Sequence, residues 1–454
     1  MNKMIENGIK VCDIIQKNGY EAYFVGGCIR DMKMHSEMKD VDITTNATPD
    51  EIHSMFDSYI DTGIAHGTVS VRPNRDSDFY EVTTYRIDGK YDDGRHPDKV
   101  IFTSSLTEDL SRRDFTINSI AYDPITKITV DPFNGESDIN NKVIKCVGNP
   151  YRRFMEDPLR ILRAMRFAVK YDFDIEENTK AAMHDTEILN RLSMCISKER
   201  VTDELRKMLV CNKSIRNIFT EFSDIIVTII PEFIDCVNAP HNNDWHKHDI
   251  YEHILYVVDG CNTNKFEIKL AALLHDIGKP ACRVTESGRD HFYGHPEVSA
   301  DIAREIFRKD LVLSNKEKIH ILNLIEKHDI YINNSHKAMT RMLAETSEEF
   351  MRDWIILKGA DLDDHKAPEN KIDTWLDTQN RFNDFKNKLD SIIEESNALK
   401  LTDLKINGND LITLLNIKPG PLIGKILKQT FEDVLDEKVT NEREALLEHV
   451  KTLV

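Results

Sequence analysis

Asp40 and Asp42 flank a single valine inside the stretch Tyr23–Asp42, "YFVGGCIRDMKMHSEMKDVD". In an extended strand, residues two apart face the same side, so both carboxylates aim at one point. Carboxylates held that way repel unless a positive charge sits between them, which a divalent metal supplies. The same stretch begins with an apolar run, Tyr23-Phe24-Val25, that suits a buried strand. Gly26-Gly27 follows, a pair that lets backbone approach a ligand closely, and then Arg30-Asp31 at the start of a helical pattern. Taken separately, a glycine pair reads equally as a plain turn and an Asp-x-Asp as a solvated strand end. Joined at this spacing they describe a metal site beside a phosphate-holding turn.

Three further stretches carry compatible chemistry. Glu81 in "FYEVTTYR" lies on an expected strand and is either a third carboxylate for the metal or a strand-edge glutamate. "LSRRDFTINSIAYD" presents Arg112-Arg113-Asp114 before an expected short amphipathic helix carrying Asn118, and paired guanidinium forks suit a triphosphate. In "FMEDPLRILRAMRFAVKY", Asp157 and Pro158 predict an N-cap followed by proline at the first helical position. Leu159, Leu162, Met165 and Val169 then form an apolar face. Arg160, Arg163 and Arg166 stand three apart, each step turning about 60° around the axis, so they fan across a groove.

These motifs need elements to position them. Residues 1–22 predict an amphipathic helix. From 23 to about 145, short β-branched and aromatic runs alternate with helical stretches at Pro49–Phe56 and Leu110–Tyr122, which predicts a mixed α/β head with one twisted sheet. "RIDGKYDDGRHP", from Arg86 to Pro97, is rich in glycine and charge and reads as a mobile loop between two strands. After Pro150 strands vanish and helical patterns run to the end, with joints near 147–151, 238–244 and 366–370. The chain of 454 residues therefore reads as α+β: a small mixed-sheet head followed by an all-α remainder.

Composition narrows the classes. With 40% apolar and 30% charged residues, the chain reads as an ordinary globular protein; no run approaches a membrane span, and its start lacks the apolar core of a signal peptide. Eight cysteines without CxxC pairing suggest neither a disulfide framework nor a zinc ribbon, and point to a reducing cytoplasm. A net charge of −18 argues against indiscriminate coating of nucleic acid, yet residues 111–170 hold eleven Lys/Arg against seven Asp/Glu. Positive charge is concentrated where the arginine motifs lie.

Five stretches in order, "GGCIRD", "DVD", "RIDGKYDDGRHPD", "RRDFTIN" and "EDPLRILR", resemble the class II tRNA nucleotidyltransferase family, which includes CCA-adding enzymes and bacterial poly(A) polymerases. The resemblance implies a polymerase-β-like nucleotidyltransferase head over 1–147, a helical neck and body over 148–238 with the nucleotide-selecting helix, and a tRNA-binding tail over 368–454. It implies that Asp40 and Asp42 bind Mg²⁺, with Glu81 as a further candidate. Gly26, Gly27, Arg30, Arg112 and Arg113 would hold the triphosphate. Asp157 and Arg160, with Arg163 and Arg166 beside them, would read the base edge of CTP or ATP in place of a template. The implied partner is the tRNA acceptor arm, with neither membrane nor DNA. "DTGIAHGTVSV" looks like the CCA-adding version, and a loop retaining Arg86, Asp93 and Arg95 looks complete, unlike that of enzymes adding only CC; His96 departs from the family's second arginine.

A second constellation spans 239–367. His253 stands upstream of His275-Asp276 in "KLAALLHDIGKP", whose leucines form a buried helical stripe that Gly278 is expected to end. With Asp361 these residues resemble the ligand set of the HD phosphohydrolase superfamily; Asp363 rivals Asp361 as the late ligand. His295 and His328 match the extra histidines of two-metal members, implying a further divalent site for Mn, Ni, Fe or Mg. Three alternatives stay open: an enzyme adding only the terminal A, a poly(A) polymerase, and an HD phosphohydrolase whose head merely binds RNA.

Overall fold

The computed structural model describes residues 3–89, 100–211, 213–366, 371–396, 401–435 and 438–453. It forms two compact units, Met1–Ile234 with Arg308–Val312, and Asp235–Phe307 with Leu313–Val454. The expected loop positions Asp93 and Arg95 lie outside the described residues.

The first unit is built on a mixed sheet. Its strands are β1 (Ala22–Val25), β2 (Asp42–Thr45), β3 (Tyr59–Gly63), β4 (Thr68–Val71) and β5 (Tyr80–Thr84). After a separate antiparallel pair, β6 (Arg86–Asp88) and β7 (Val100–Phe102), come β8 (Ala121–Tyr122) and β9 (Thr129–Val130). The sheet order is β3-β4-β5-β2-β1-β8-β9, and β2 runs parallel to β5 while its other neighbour β1 is antiparallel. The amphipathic helix Lys3–Lys17 buries Val11, Cys12 and Ile15 in the core of this unit. The register Val25↔Asp42 places the end of β1, and hence Gly26, beside the first residue of β2.

The expected helix Leu110–Tyr122 is not formed as one element. Helix Leu106–Ser111 stops, a single 3₁₀ turn covers Thr116–Asn118, and β8 follows. Tertiary contacts override local propensity here: Thr116 N–H donates to the Lys145 carbonyl, and Ser119 Oγ to those of Leu110 and Phe115. Beyond Pro150 the first unit is mostly helical, with Leu159–Tyr171 packed on Lys198–Leu209. The apolar face expected on the first of these is buried, Leu162 and Met165 completely.

The remainder is mostly, not wholly, helical. β10 (Val143–Ile144) pairs in parallel with β11 (Asp174–Ile175), and β12 (Arg283–Glu286) forms a hairpin with β13 (Arg289–Phe292). The hairpin turns on Ser287 and Gly288, both at positive φ (52° and 79°), as a two-residue hairpin requires. The segment is too polar to register as a buried strand, but Ser-Gly between two four-residue runs is its signal. Gly278 is not the left-handed helix cap expected. Helix Phe266–Leu274 ends earlier, and a Cβ at Gly278 would stand 2.6 Å from the Ser299 backbone nitrogen, so the glycine permits close packing.

Gly135 has the same role in the head. A Cβ there would lie 2.2 Å from the Thr116 carbonyl oxygen and 2.9 Å from Ile120 Cγ1. Gly135→Ala is therefore expected to destabilise the chain by about 1–3 kcal/mol and to push the Thr116–Asn118 turn out of place. Chemical denaturation checks this, and an unchanged midpoint would show that the contact is not tight.

Candidate active site

In the first unit, the residues expected to bind a nucleotide converge on one cavity of about 500 Å³. Gly26, Gly27, Arg30 and Asp42 come from the β1–β2 region, Arg112 and Arg113 from the end of a short helix, and Asp157, Arg160, Arg163 and Arg166 from the neck. Gly26 has φ 77°, and a Cβ there would sit 3.2 Å from Arg113 Nη1 and 3.9 Å from Asp42 Oδ2. Its missing side chain lets cation and carboxylate approach the same turn.

Asp42 opens β2 and Asp40 precedes it. The pairing Ile43↔Val82 sets exposed Glu81 on the strand next to Asp42. Burial and the charge of Asp40 push the Asp42 carboxyl up to about 6; Arg113 opposes that rise and Glu81 adds to it. A cluster of oxygen donors so short of positive charge fits a hard divalent cation such as Mg²⁺.

The arginines are not loose. Arg112 donates through Nε (3.0 Å) and Nη2 (2.8 Å) to Asp109 Oδ1, and Arg113 Nη2 lies 3.3 Å from Oδ2. Asp109 is fully buried, and although burial works against ionisation, Arg113 and Arg112 hold it below the ordinary range. Arg30 donates to Asp31 Oδ1 (3.0 and 2.8 Å) and through Nη1 to Asn118 Oδ1 (2.6 Å), with its guanidinium over Tyr171 and Phe167. Asn118 Nδ2 donates to Asp114 Oδ1 (3.0 Å), and Arg163 donates twice to Asp114 Oδ2 (2.8 and 2.5 Å). Burial alone would raise the Asp114 carboxyl; Arg163 and Asn118 overcome it and hold it well below the usual carboxylate range.

On the neck, Asp157 accepts from Leu159 N–H (3.1 Å), so it caps this helix start as expected. Arg200 grips its two oxygens at 3.3 and 2.7 Å. Arg160 points back toward the head, donating to Glu156 (2.7 Å) and to the carbonyls of Arg153 and Arg112 (3.0 and 3.2 Å). Arg166 pairs with Glu204 at 2.5 Å. Arg86, expected at the loop, donates from Nη1 to the His66 carbonyl, and its N–H points to Asp109. Asp109, Arg200 and Glu204 escaped the sequence reading. The last two stand four apart on one helix, an acid/base spacing that could have flagged them.

The second unit holds a histidine–aspartate cluster. His253 Nε2 lies 3.2 Å from Asp276 Oδ2 and 3.4 Å from Asp361 Oδ1, and His275 Nε2 lies 3.2 Å from the same Asp276 oxygen. His295 and His328 approach Asp276 Oδ1 at 3.2 and 3.6 Å. Asp363 is exposed, whereas Asp361 is buried in the cluster and Asp364 receives His253 Nδ1 at 2.8 Å. The Nδ1 atoms of His275, His295 and His328 donate to the carbonyls of Ala272, Phe292 and Ile325. Each ring therefore turns the lone pair of Nε2 inward. His295 and His328 face each other Nε2 to Nε2 at 3.2 Å, a repulsive contact unless a cation intervenes. Neither oxygen of buried Asp276 receives a hydrogen bond, although the Lys279 ammonium stands 2.6 Å from Oδ2. Burial would lower His253, yet Asp276, Asp361 and Asp364 raise it to about 10, a measure of the demand for positive charge. The donor set, imidazole nitrogens with carboxylate oxygens, fits a divalent metal.

Fold and site together define a nucleotidyltransferase head carrying an arginine-rich helical extension and, on the same chain, an HD-type histidine–aspartate cluster. Family models agree: residues 22–145 match the poly A polymerase head domain, 172–219 the RNA- and SrmB-binding site of polymerase A, 246–362 the HD domain and 369–450 tRNA nucleotidyltransferase domain 2. The CCA-adding enzyme of Limosilactobacillus reuteri is 32% identical over 452 residues, covering 97% of this chain and 94% of that protein. That of Oceanobacillus iheyensis is 49% identical over 191 residues, 42% of this chain and 46% of that one. The Bacillus stearothermophilus CCA-adding enzyme, solved in complex with CTP, superposes with a TM-score of 0.71 at 25% identity, covering 100% of this chain and 98% of that one. The chain belongs to the CCA-adding enzyme family. Among the described residues, no helix is long and apolar enough to cross a membrane.

Because the folded protein disfavours ionised Asp42, this carboxyl stabilises the metal-free chain below its ordinary pKa, and that contribution is lost as pH rises toward 6. Metal binding must expel its proton. Mg²⁺ affinity is expected to fall about tenfold per pH unit below about 6 and to be flat above it. Titration calorimetry at several pH values checks this, and a flat profile down to pH 5 would contradict the electrostatic account.

Proposed function

We propose that the chain adds CCA to tRNA, transferring CMP and AMP from CTP and ATP to the tRNA 3′ end, releasing pyrophosphate and using no nucleic-acid template. The observation that carries this reading is the single cavity joining Gly26, Asp42 and Arg113 to Asp157 and Arg160, more than a hundred residues later. The likeness to CCA-adding enzymes along almost the whole chain favours full CCA addition over A-only addition or poly(A) synthesis.

In this reading the terminal hydroxyl oxygen of tRNA attacks the α-phosphorus in line. The α–β bridging P–O bond breaks, and pyrophosphate leaves with the electron pair. Asp40 and Asp42, with Glu81 beside them, would hold Mg²⁺, which when bound neutralises polyphosphate charge and acidifies the attacking hydroxyl. Gly26 and Gly27 admit the phosphates to the backbone, while Arg30, Arg112 and Arg113 grip them. Asp157 accepts from the exocyclic amine of the base and Arg160 donates to the ring nitrogen and carbonyl beside it. C and A both present an amine next to an acceptor, so one side-chain pair takes both and rejects G and U. Arg200 grips both oxygens of Asp157 and so orients it, and Arg163 and Arg166 line the same wall. The neck over 148–238 and the tail over 368–454 would hold the acceptor arm. Eight free cysteines suit a cytoplasmic setting.

A second reading concerns the HD domain, over 239–367. His253, His275, Asp276 and Asp361 would hold one divalent ion, and Asp276 with His295 and His328 a second, giving a metal-dependent phosphoester hydrolase. The inward-facing Nε2 atoms favour it.

Incubation with tRNAs lacking CCA, CA or only the terminal A, plus CTP and ATP, is expected to restore CCA on all three. Extension of the last alone would sink the CCA reading, and long A tails would indicate a poly(A) polymerase. Asp40→Ala is expected to bring incorporation to background while leaving the metal content of the histidine cluster unchanged.

A further inference from the structure

Beside the HD cluster stand two imidazoles that the ligand set does not use. His246 lies in the segment before helix Ile250–Gly260, and His365 follows helix Glu348–Asp364. An isolated antiparallel backbone bridge sets them opposite each other, reinforced by Lys366 N–H donating to the Trp245 carbonyl at 2.8 Å. Their ring centroids are 4.6 Å apart. Both border the cavity of about 530 Å³ that reaches Asp276 and Asp361.

Lys279, only 5% exposed, fixes the protonation of this corner. Its ammonium lies 3.1 Å from His241 Nε2 and 3.5 Å from His246 Nε2. His241 donates from Nδ1 to the His248 carbonyl (2.8 Å), leaving its Nε2 to accept. An ammonium can only donate, so His246 Nε2 also accepts and the His246 proton rests on Nδ1. That Nδ1–H is buried and has no hydrogen-bond partner. A buried donor left without an acceptor is costly and marks a place where an acceptor belongs.

Spacing alone would allow a cation here, since ring nitrogens of His246, His253 and His365 lie within 4.8 Å of one another. Two observations oppose it. The Lys279 ammonium already stands at His246, and His253 turns Nε2 toward Asp276 and Asp361, the ligand set already described, with Nδ1 on Asp364. An anion instead meets an ammonium and an unfilled N–H. Of the carboxylates bordering the cavity, Asp276 is paired with Lys279 at 2.6 Å, and Asp361 is paired with Lys358 at 3.2 Å and faces His365 Nε2 at 3.6 Å.

We propose that His246 and Lys279, walled by His365, form an oxyanion subsite that seats a phosphate group of the substrate against the HD metal cluster. This rests on the metal-binding reading of that cluster and adds the residues that would hold the phosphate oxygens without binding metal.

The test uses the full-length protein loaded with Mn²⁺ and freed of excess metal, with inorganic phosphate as the probe. Phosphate affinity is measured by calorimetry and metal content by mass spectrometry. The head's arginines are identical in every variant, so differences between variants report on the HD cavity. His246→Ala is expected to weaken phosphate binding at least tenfold with unchanged metal content and unchanged CMP incorporation. His246→Asn, which restores an N–H donor, is expected to recover most of the affinity. Phosphate affinity within twofold of wild type in His246→Ala would overturn the assignment, as would a loss of metal in that variant, which would make His246 a ligand. A wild-type protein that takes up no metal at the cluster would overturn the underlying metal reading as well.

Discussion

Asp114 accepts four hydrogen bonds within the pocket: from its neighbour's N–H at Phe115, from Asn118, and from two nitrogens of Arg163. Through Asn118 it also reaches Arg30, in the helix that follows the glycine turn. The glycine-turn side of the cavity and the helix Leu159–Tyr171 therefore hang on one buried carboxylate. Two requirements make it effective. Burial strengthens each of its interactions, and full satisfaction of both oxygens removes the cost that burial would otherwise impose. Gly135, by letting a helix press against the Thr116 carbonyl, keeps Asn118 where the chain of bonds needs it.

The same logic governs the other arginines. Arg112 and Arg113 answer to Asp109, Arg160 to Glu156, Arg166 to Glu204, and Asp157 is the carboxylate that Arg200 holds. Guanidiniums anchored before the ligand arrives lose little freedom when they bind it, so the cost of ordering is met by folding rather than by nucleotide binding. This also explains how a chain of net charge −18 can handle polyphosphate and RNA: the positive charge is local, fixed in direction and interleaved with its own carboxylates.

Much of this was legible in the sequence. The glycine pair, Asp40/Asp42, the paired arginines and the capped helix at Asp157 could each be read from residue type and spacing, and the family's motif order joined them. What stayed hidden depended on tertiary contact. Nothing local says that the segment after Arg113 breaks into a 3₁₀ turn and a strand, because that outcome is imposed by Lys145 and Gly135 from elsewhere in the chain. Nothing local marks Asp109 as the acid that the fold buries beneath two arginines. Arg200 lies forty-three residues from Asp157, and no periodicity links them. In the HD unit the histidines and aspartates that cluster were visible, but the polar hairpin at 283–292 was not, and the His246–His365 pairing exists only as a backbone bridge between distant segments.

Coupling between the two halves of the pocket through Asp114 is open to measurement. A double-mutant cycle on CTP affinity with Asn118→Ala and Arg163→Ala tests it most directly. Both side chains bond to Asp114 from opposite halves, so non-additive losses are expected, with a coupling of about 1 kcal/mol or more. Losses that simply add would contradict it, leaving two independent half-sites that happen to share a cavity.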